Sequence, residues 1–251
     1  MTPPSPQLLR IAALCLCAFS ASAWSQDAAE SETKVKWGIS GGYNHYTEPK
    51  LMQLQGPEAG LHFQVSNVRD LESMQFEGDI LLGAQHYTST KSGTMSGVPN
   101  LENRYRAFVP VSIDATTGEG FYTGLAVHTL WNNLRQAPGG YERSATQLWL
   151  PLRWHSADAW DLDAGLLMYG RHSSKLSQAV VGYTDIVNTQ HKGQYAQFSM
   201  SVPLENGDTL KPFVRYTHLA DSDRVVMGGY YWIEPESQRW QVGAVWEFNS
   251  R

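Results

Sequence analysis

The chain has 251 residues, a formal net charge of −5 and 17% charged residues, whereas soluble domains average about 25%. The excess of acidic over basic residues excludes the basic surface that nucleic-acid binding needs. No stretch reaches the roughly 18 consecutive apolar residues of a transmembrane helix, yet aromatic residues make up 12% of the chain.

The N-terminus has the three parts of a secretory signal peptide. Arg10 provides the positive flank, residues 11–19 form a short apolar core, and Ala21-Ser22-Ala23 is a small-x-small cleavage site. A cut after Ser25 fits nearly as well, and both cysteines of the chain lie within the signal. We predict a signal peptide at residues 1–23, a short periplasmic segment at 24–33 and a transmembrane β-barrel at 34–251.

Apolar and polar residues then alternate with a period of two. In the first such segment Val35, Trp37 and Ile39 share one face, as in a strand with one apolar side. The segments are about 8–11 residues long, close to what a tilted strand needs to cross a bilayer. Ten strands are predicted, at residues 35–44, 59–65, 74–86, 104–113, 121–131, 145–154, 160–171, 195–204, 210–218 and 239–248.

The connections between these strands alternate between short and long. The short ones lie at 66–73, 115–120, 155–159 and 205–208, and the long ones at 45–58, 88–103, 132–144, 172–194 and 219–238. Outer-membrane barrels have short periplasmic turns and long external loops. The sequence therefore predicts an all-β fold, a closed antiparallel up-and-down transmembrane β-barrel of about ten strands, with eight or twelve as alternatives.

Aromatic side chains of the apolar parity gather at the two ends of the predicted strands. Trp and Tyr prefer the membrane–water interfaces, so two lipid-facing belts are expected. The predicted belt residues are Trp37, Trp154, Trp160, Trp246 and Phe248 at the periplasmic ends, and Trp131 and Trp240 at the external ends.

The opposite parity carries charges of both signs, which would face the barrel interior. A barrel of about ten strands is only slightly wider than one that its own side chains fill, so these charges should pair. The predicted lumenal charge cluster comprises Lys36, Glu77, Asp79, Arg106, Arg153, Asp163, Arg171, Arg215 and Glu247. We interpret it as a salt-bridged plug, with a narrow polar pore as the alternative. Arg106 should pair with a lumenal carboxylate, although the predicted hairpin places none directly opposite it.

Two similar segments flank the first and last strands. Tyr46-Thr47-Glu48-Pro49 follows Gly41-Gly42-Tyr43, and Trp232-Ile233-Glu234-Pro235 follows Gly228-Gly229-Tyr230. Because strands one and ten pair when the barrel closes, the two segments should meet. Tyr46, Glu48, Trp232 and Glu234 are predicted to form either a binding lip on the external loops or a structural clasp at the closure seam.

Signals for cofactors and catalysis are weak. Alternate strands lie about 10 Å apart, too far for histidines to share a metal with bonds of about 2 Å. Parity places His128 in the lumen and four others outside, namely His45, His86, His172 and His218. No metal, cofactor or catalytic residue is predicted, although external loops carry groups suited to a rim-sited hydrolase: Asp185, His218, Asp221 and Asp223.

The chain resembles the small outer-membrane β-barrel proteins of Gram-negative bacteria. The resemblance covers nearly the whole mature chain and rests on the signal peptide, the strand pattern, the belts and the near-terminal Trp246-Glu247-Phe248. It implies contact with outer-membrane lipid and lipopolysaccharide, and insertion by the barrel-assembly machinery. The expected role is surface interaction through external loops, with an unspecified ligand, or envelope structure. A small diffusion pore and a rim-sited hydrolase are the alternatives.

Overall fold

A computed structural model describes residues 33–67, 74–114, 116–137, 139–179 and 181–249. The predicted signal peptide, and the periplasmic segment up to residue 32, lie outside these ranges. Within them, no helix is long and apolar enough to cross a membrane. The strands are β1 Thr33–Glu48, β2 Met52–Asn67, β3 Gln75–Ser89, β4 Gly93–Ile113, β5 Gly120–Asn133, β6 Glu142–His155, β7 Trp160–Ser174, β8 Ile186–Gln190, β9 Gly193–Met200, β10 Val202–Pro203, β11 Thr209–Leu219, β12 Val225–Met227, β13 Tyr230–Trp232 and β14 Ser237–Phe248.

Twelve of these strands form one antiparallel sheet that closes on itself. Each strand from β1 to β7 pairs with its chain neighbours, β14 pairs with β1 and β11, and β9 joins β7 to β11. Because β8, β9 and β10 follow one another along the same wall, they count as one barrel strand. The predicted closed barrel of ten strands is confirmed. We call the end where β1 turns into β2 the upper end, which the sequence analysis predicts to be external.

The strands extend further at the upper end than predicted. The ladder between β1 and β2 continues to the pair Glu48–Met52, and that between β3 and β4 continues to Ser89–Gly93. The prediction of long loops at 45–58 and 88–103 is therefore wrong. Cross-strand pairing holds most of both segments extended, with local interruptions.

The two faces of the barrel differ sharply in polarity. Charged side chains are buried inside, whereas large apolar side chains are exposed outside. This is the reverse of a water-soluble barrel and suits a lipid exterior, because lipid does not penalise exposed apolar surface. Exposed apolar residues along the strands include Ile39, Leu61, Leu82, Leu125, Leu150, Leu162, Val214 and Val242.

The predicted belt residues lie outside the buried interior, near strand ends. Trp37 is exposed, is paired across strands with the exposed Phe248, and has its ring centroid 5.6 Å from that of Phe63. At the upper end the Trp240 and Tyr216 rings lie 4.7 Å apart. Trp246 is exposed as well, and the remaining belt residues are half-buried: Trp131, Trp154 and Trp160. Their depth in a membrane stays a prediction.

A β-bulge reverses the facing of residues at the upper end of β7. The register between β6 and β7 shifts between Leu148 and Trp149, which leaves Met168 unpaired. One extra residue moves every following side chain to the opposite face. Arg171 is consequently exposed, and His172 is buried inside the barrel. The predictions that Arg171 faces the lumen and that His172 faces outward are both wrong.

Candidate functional site

Two arginines and two carboxylates form a lattice of ion pairs in the lower half of the lumen. Arg153 contacts Glu77 (Nη1–Oε1, 2.7 Å) and Asp163 (Nε–Oδ1, 2.6 Å). Arg106 contacts the same two carboxylates, through Nη2 to Glu77 Oε2 at 2.9 Å and Nη1 to Asp163 Oδ2 at 3.0 Å. All four side chains are buried, so each carboxylate is shared by both guanidinium groups.

The strand register explains how this lattice assembles. Glu77 on β3 lies directly opposite Arg106 on β4, and Arg153 on β6 lies directly opposite Asp163 on β7. Each strand pair therefore supplies one acid and one base, and the lattice joins the two walls across the interior. The sequence analysis missed the direct register of Arg106 because it placed a loop at 88–103, where β4 in fact pairs.

A second group of charges adjoins the lattice. His62 Nδ1 lies 2.8 Å from Asp79 Oδ1, and Glu247 contacts Lys211 Nζ at 2.5 Å and Lys36 Nζ at 3.4 Å. Lys36 is the most exposed of these side chains. Lys211 has the lumenal parity that alternation predicts, whereas the sequence analysis did not assign His62 to the lumen although its parity is the same.

A middle layer of charges lies outside the predicted cluster. Glu102 on β4 accepts from Arg104 Nε at 2.9 Å and from Arg239 Nη2 on β14 at 2.6 Å. Gln241 Nε2 donates to Glu58 Oε1 at 2.8 Å. Glu58 and Glu102 lie in segments that the sequence analysis predicted as loops. The observed strands β2 and β4 include both residues, so extending the period-two alternation into these segments could have found them.

Arg215 differs from the other buried lumenal arginines. Its guanidinium has no carboxylate within 4 Å among the described residues. It instead contacts Gln197 Oε1 at 3.4 Å and the ring of His128 at 3.1 Å, and it stacks 4.2 Å from the centre of the Tyr195 ring. The structure places Arg215 inside, as predicted by parity, but without an acidic partner among the described residues.

At the upper end, Arg143 joins the two segments that the sequence analysis paired. Glu48, at the end of β1, and Glu234, just before β14, both accept hydrogen bonds from Arg143 Nη2. The Tyr46 hydroxyl donates to Glu48 at 2.9 Å, and His172 Nε2 lies 3.1 Å from Glu234 Oε2. We call these five residues the mouth clasp.

The mouth clasp brings Tyr46, Glu48 and Glu234 together, whereas a role for these groups as a binding lip stays a prediction. Glu48 and Glu234 are buried, and Arg143, which closes them together, lay in a predicted loop. Trp232 is not part of the clasp, because its ring packs 5.6 Å from that of Tyr183 and its Nε1 donates to Met227 O. The two carboxylates share one guanidinium. Burial raises the pKa of the Glu234 carboxyl, although the nearby Arg143 acts in the opposite direction.

A cavity of about 340 Å³ opens above the mouth clasp, and we call it the mouth cavity. All five upper connections contribute to its walls. Its base contains Glu48, Arg143 and Glu234. Its walls are mixed: the apolar part includes Leu51, Met52, Tyr87, Leu134, Leu176, Ile186, Trp232 and Ile233, and the polar part includes Ser89, Lys91, Ser92, Ser174 and Asn188.

The groups suited to a rim hydrolase are held in separate contacts. His218 pairs with Glu236 at 2.9 Å, and Asp223 lies 3.4 Å from His191. Asp185 pairs with Lys175 at 2.8 Å. The described contacts do not assemble an Asp–His pair from the groups that the sequence analysis considered.

A closed antiparallel sheet with an apolar exterior and an ion-paired interior is the architecture of a membrane-spanning β-barrel. The chain is a ten-stranded barrel of this class.

Comparisons with known proteins return solved structures of similar fold at low sequence identity. No protein-family model matches the chain, and no curated protein matches it. Similar solved structures include the translocator domain of the autotransporter NalP from Neisseria meningitidis, at 10% identity and a TM-score of 0.42, covering 96% of each chain. A second is the β-domain of the Bordetella autotransporter BrkA, at 12% identity and a TM-score of 0.44, covering 87% of this chain and 100% of that one. A third is Neisserial surface protein A, at 9% identity and a TM-score of 0.34, covering 87% of this chain and 99% of that one.

Proposed function

We propose that this chain is a sealed outer-membrane barrel that acts through its upper end, in surface interaction or envelope structure. The observation that carries the proposal is a set of buried and largely buried ionic contacts that cross the lumen at three levels. These contacts are Arg106–Asp163, Arg239–Glu102 and Arg143–Glu48. Opening a path for ions would separate buried charges from their partners, which is costly.

The proposed location is the bacterial outer membrane, with the upper end outside the cell. The apolar exterior supports contact with lipid, and lipopolysaccharide would surround the upper half of the strands. The predicted signal peptide supports export, followed by insertion by the barrel-assembly machinery. The upper end also carries the hairpin of β12 and β13, whose Tyr230 and Tyr231 are exposed.

Planar-bilayer recording tests whether the barrel is sealed. The mature protein should show no regular conductance steps, because the ion pairs fill the lumen. The quadruple variant Arg106→Ser, Arg153→Ser, Arg239→Ser and Arg143→Ser should conduct, since it removes the guanidinium groups that close the lumen at all three levels. Arg171→Ser is the matched control, because Arg171 is exposed and should change nothing. Regular steps from the parent protein would overturn the sealed barrel and favour a small diffusion pore.

Cysteine labelling on intact cells tests the proposed orientation. The mature chain offers no cysteine of its own if the predicted signal is removed. Tyr231→Cys, at a side chain that is 73% exposed at the upper end, should react with a membrane-impermeant maleimide. Thr116→Cys, in the exposed lower turn between β4 and β5, should react only after the outer membrane is permeabilised. The reverse pattern would mean that the barrel is inverted.

A further inference from the structure

The mouth cavity combines an apolar section of wall with a charged base. Its volume of about 340 Å³ is in the range of small-molecule sites, which are mostly apolar with a few convergent polar groups. Leu134, Leu176 and Ile186 line it yet are shielded from bulk water. An apolar molecule could therefore bury its surface there without requiring a rearrangement of the barrel strands.

The base of the cavity has an imbalance of charge. Glu48 and Glu234 share the single guanidinium of Arg143, and His172 is the only other nitrogen base in the clasp. Two carboxylates against one cation leave an excess of negative charge at the base of the cavity. A cationic group entering the cavity would relieve the imbalance, because charges shielded from water interact strongly.

Two further polar groups bear on the chemistry of a ligand. Arg143 Nε is buried and has no hydrogen-bond partner within the described part of the chain, so it could donate to a hydroxyl or carbonyl oxygen. Lys91 also lines the cavity, but its side chain is exposed, so water and salt screen its charge.

From this geometry we infer that the mouth cavity binds a small apolar amine, with its ammonium group at Glu48 and Glu234 and its apolar body against the walls. The inference rests on the proposed function in one respect, since a ligand must reach the upper end from outside the cell. It adds the chemical class of the ligand, which the proposed function leaves open.

A pair of probes with the same apolar body and opposite charges tests the inference. Tryptamine and indole-3-propionate would be titrated calorimetrically into the mature protein in phosphatidylcholine nanodiscs, with empty nanodiscs as the blank. Tryptamine should bind at least about tenfold more tightly than the acid. Glu48→Gln should reduce that preference. Equal affinities, or a preference for the acid, would overturn the assignment of an amine.

Filling the cavity provides a test that does not alter the clasp. Ile186→Trp should abolish tryptamine binding, because Ile186 is buried in the cavity wall. Val187→Trp is the matched control, on the same strand but 40% exposed, and should bind like the parent. Tryptamine binding that survives Ile186→Trp would place the site elsewhere and overturn the inference.

Conductance recordings on the same preparation separate the two proposals. A conducting parent that binds tryptamine would refute the sealed barrel and retain the amine site. A parent protein that does not conduct and binds neither probe would refute the amine site, and the sealed-barrel proposal would be unaffected.

Discussion

Arg106→Ala is expected to lower the free energy of unfolding of the barrel by about 3–5 kcal/mol. Arg106 is buried and contacts both Glu77 and Asp163, so its removal leaves two acids to share the single guanidinium of Arg153. Breaking a buried ion pair by removing one partner is costly because the remaining charge has lost its compensation. Reversible urea unfolding from lipid vesicles of one composition would measure the change.

Two other arginines serve as controls for this experiment. Arg171→Ala should change the free energy by no more than about 0.5 kcal/mol, because Arg171 is exposed. Arg215→Met should stay within about 1 kcal/mol of the parent, because it removes a buried cation without stranding a carboxylate. If Arg106→Ala unfolds like the parent, Arg106 is solvated and its ion pairs do not form part of a buried plug.

Leu82→Arg should impair folding into lipid by about 2–4 kcal/mol. Leu82 lies near the middle of β3, and its side chain is 63% exposed on the outer face. An arginine there would place its charge near the middle of the bilayer, where desolvation is greatest. The measurement is the free energy of folding into vesicles, taken from a denaturant titration.

Met74→Arg is the matched control for the effect of depth. Met74 has the same parity, is 56% exposed and immediately precedes β3 at its lower end, so the cost should be only about 0–1 kcal/mol. Equal costs at Leu82 and Met74 would mean that the membrane does not cover β3 as proposed.

Alternation alone would suggest Gln85→Arg as a mild substitution on the opposite face. The structure argues against that choice, because Gln85 is fully buried and an arginine would have to displace its neighbours.

The sequence by itself determined the class of fold and the polarity of its two faces. Period-two alternation is a local property, because successive side chains of a strand point to opposite sides whatever its partners are. Most of the predicted charge cluster therefore lies inside, including Glu77, Asp79 and Glu247, and the belt tryptophans lie outside the buried interior.

The tertiary structure decided the register and the partners. Arg143 meets Glu48 although the two are 95 residues apart, because barrel closure brings nearly opposite strands together. Arg171 and His172 exchanged faces because a single unpaired residue, Met168, shifts the register of β7 against β6. Pairing across strands and closure of the sheet depend on all the neighbouring strands at once, so a local pattern specifies which way a side chain points but not which side chain it meets.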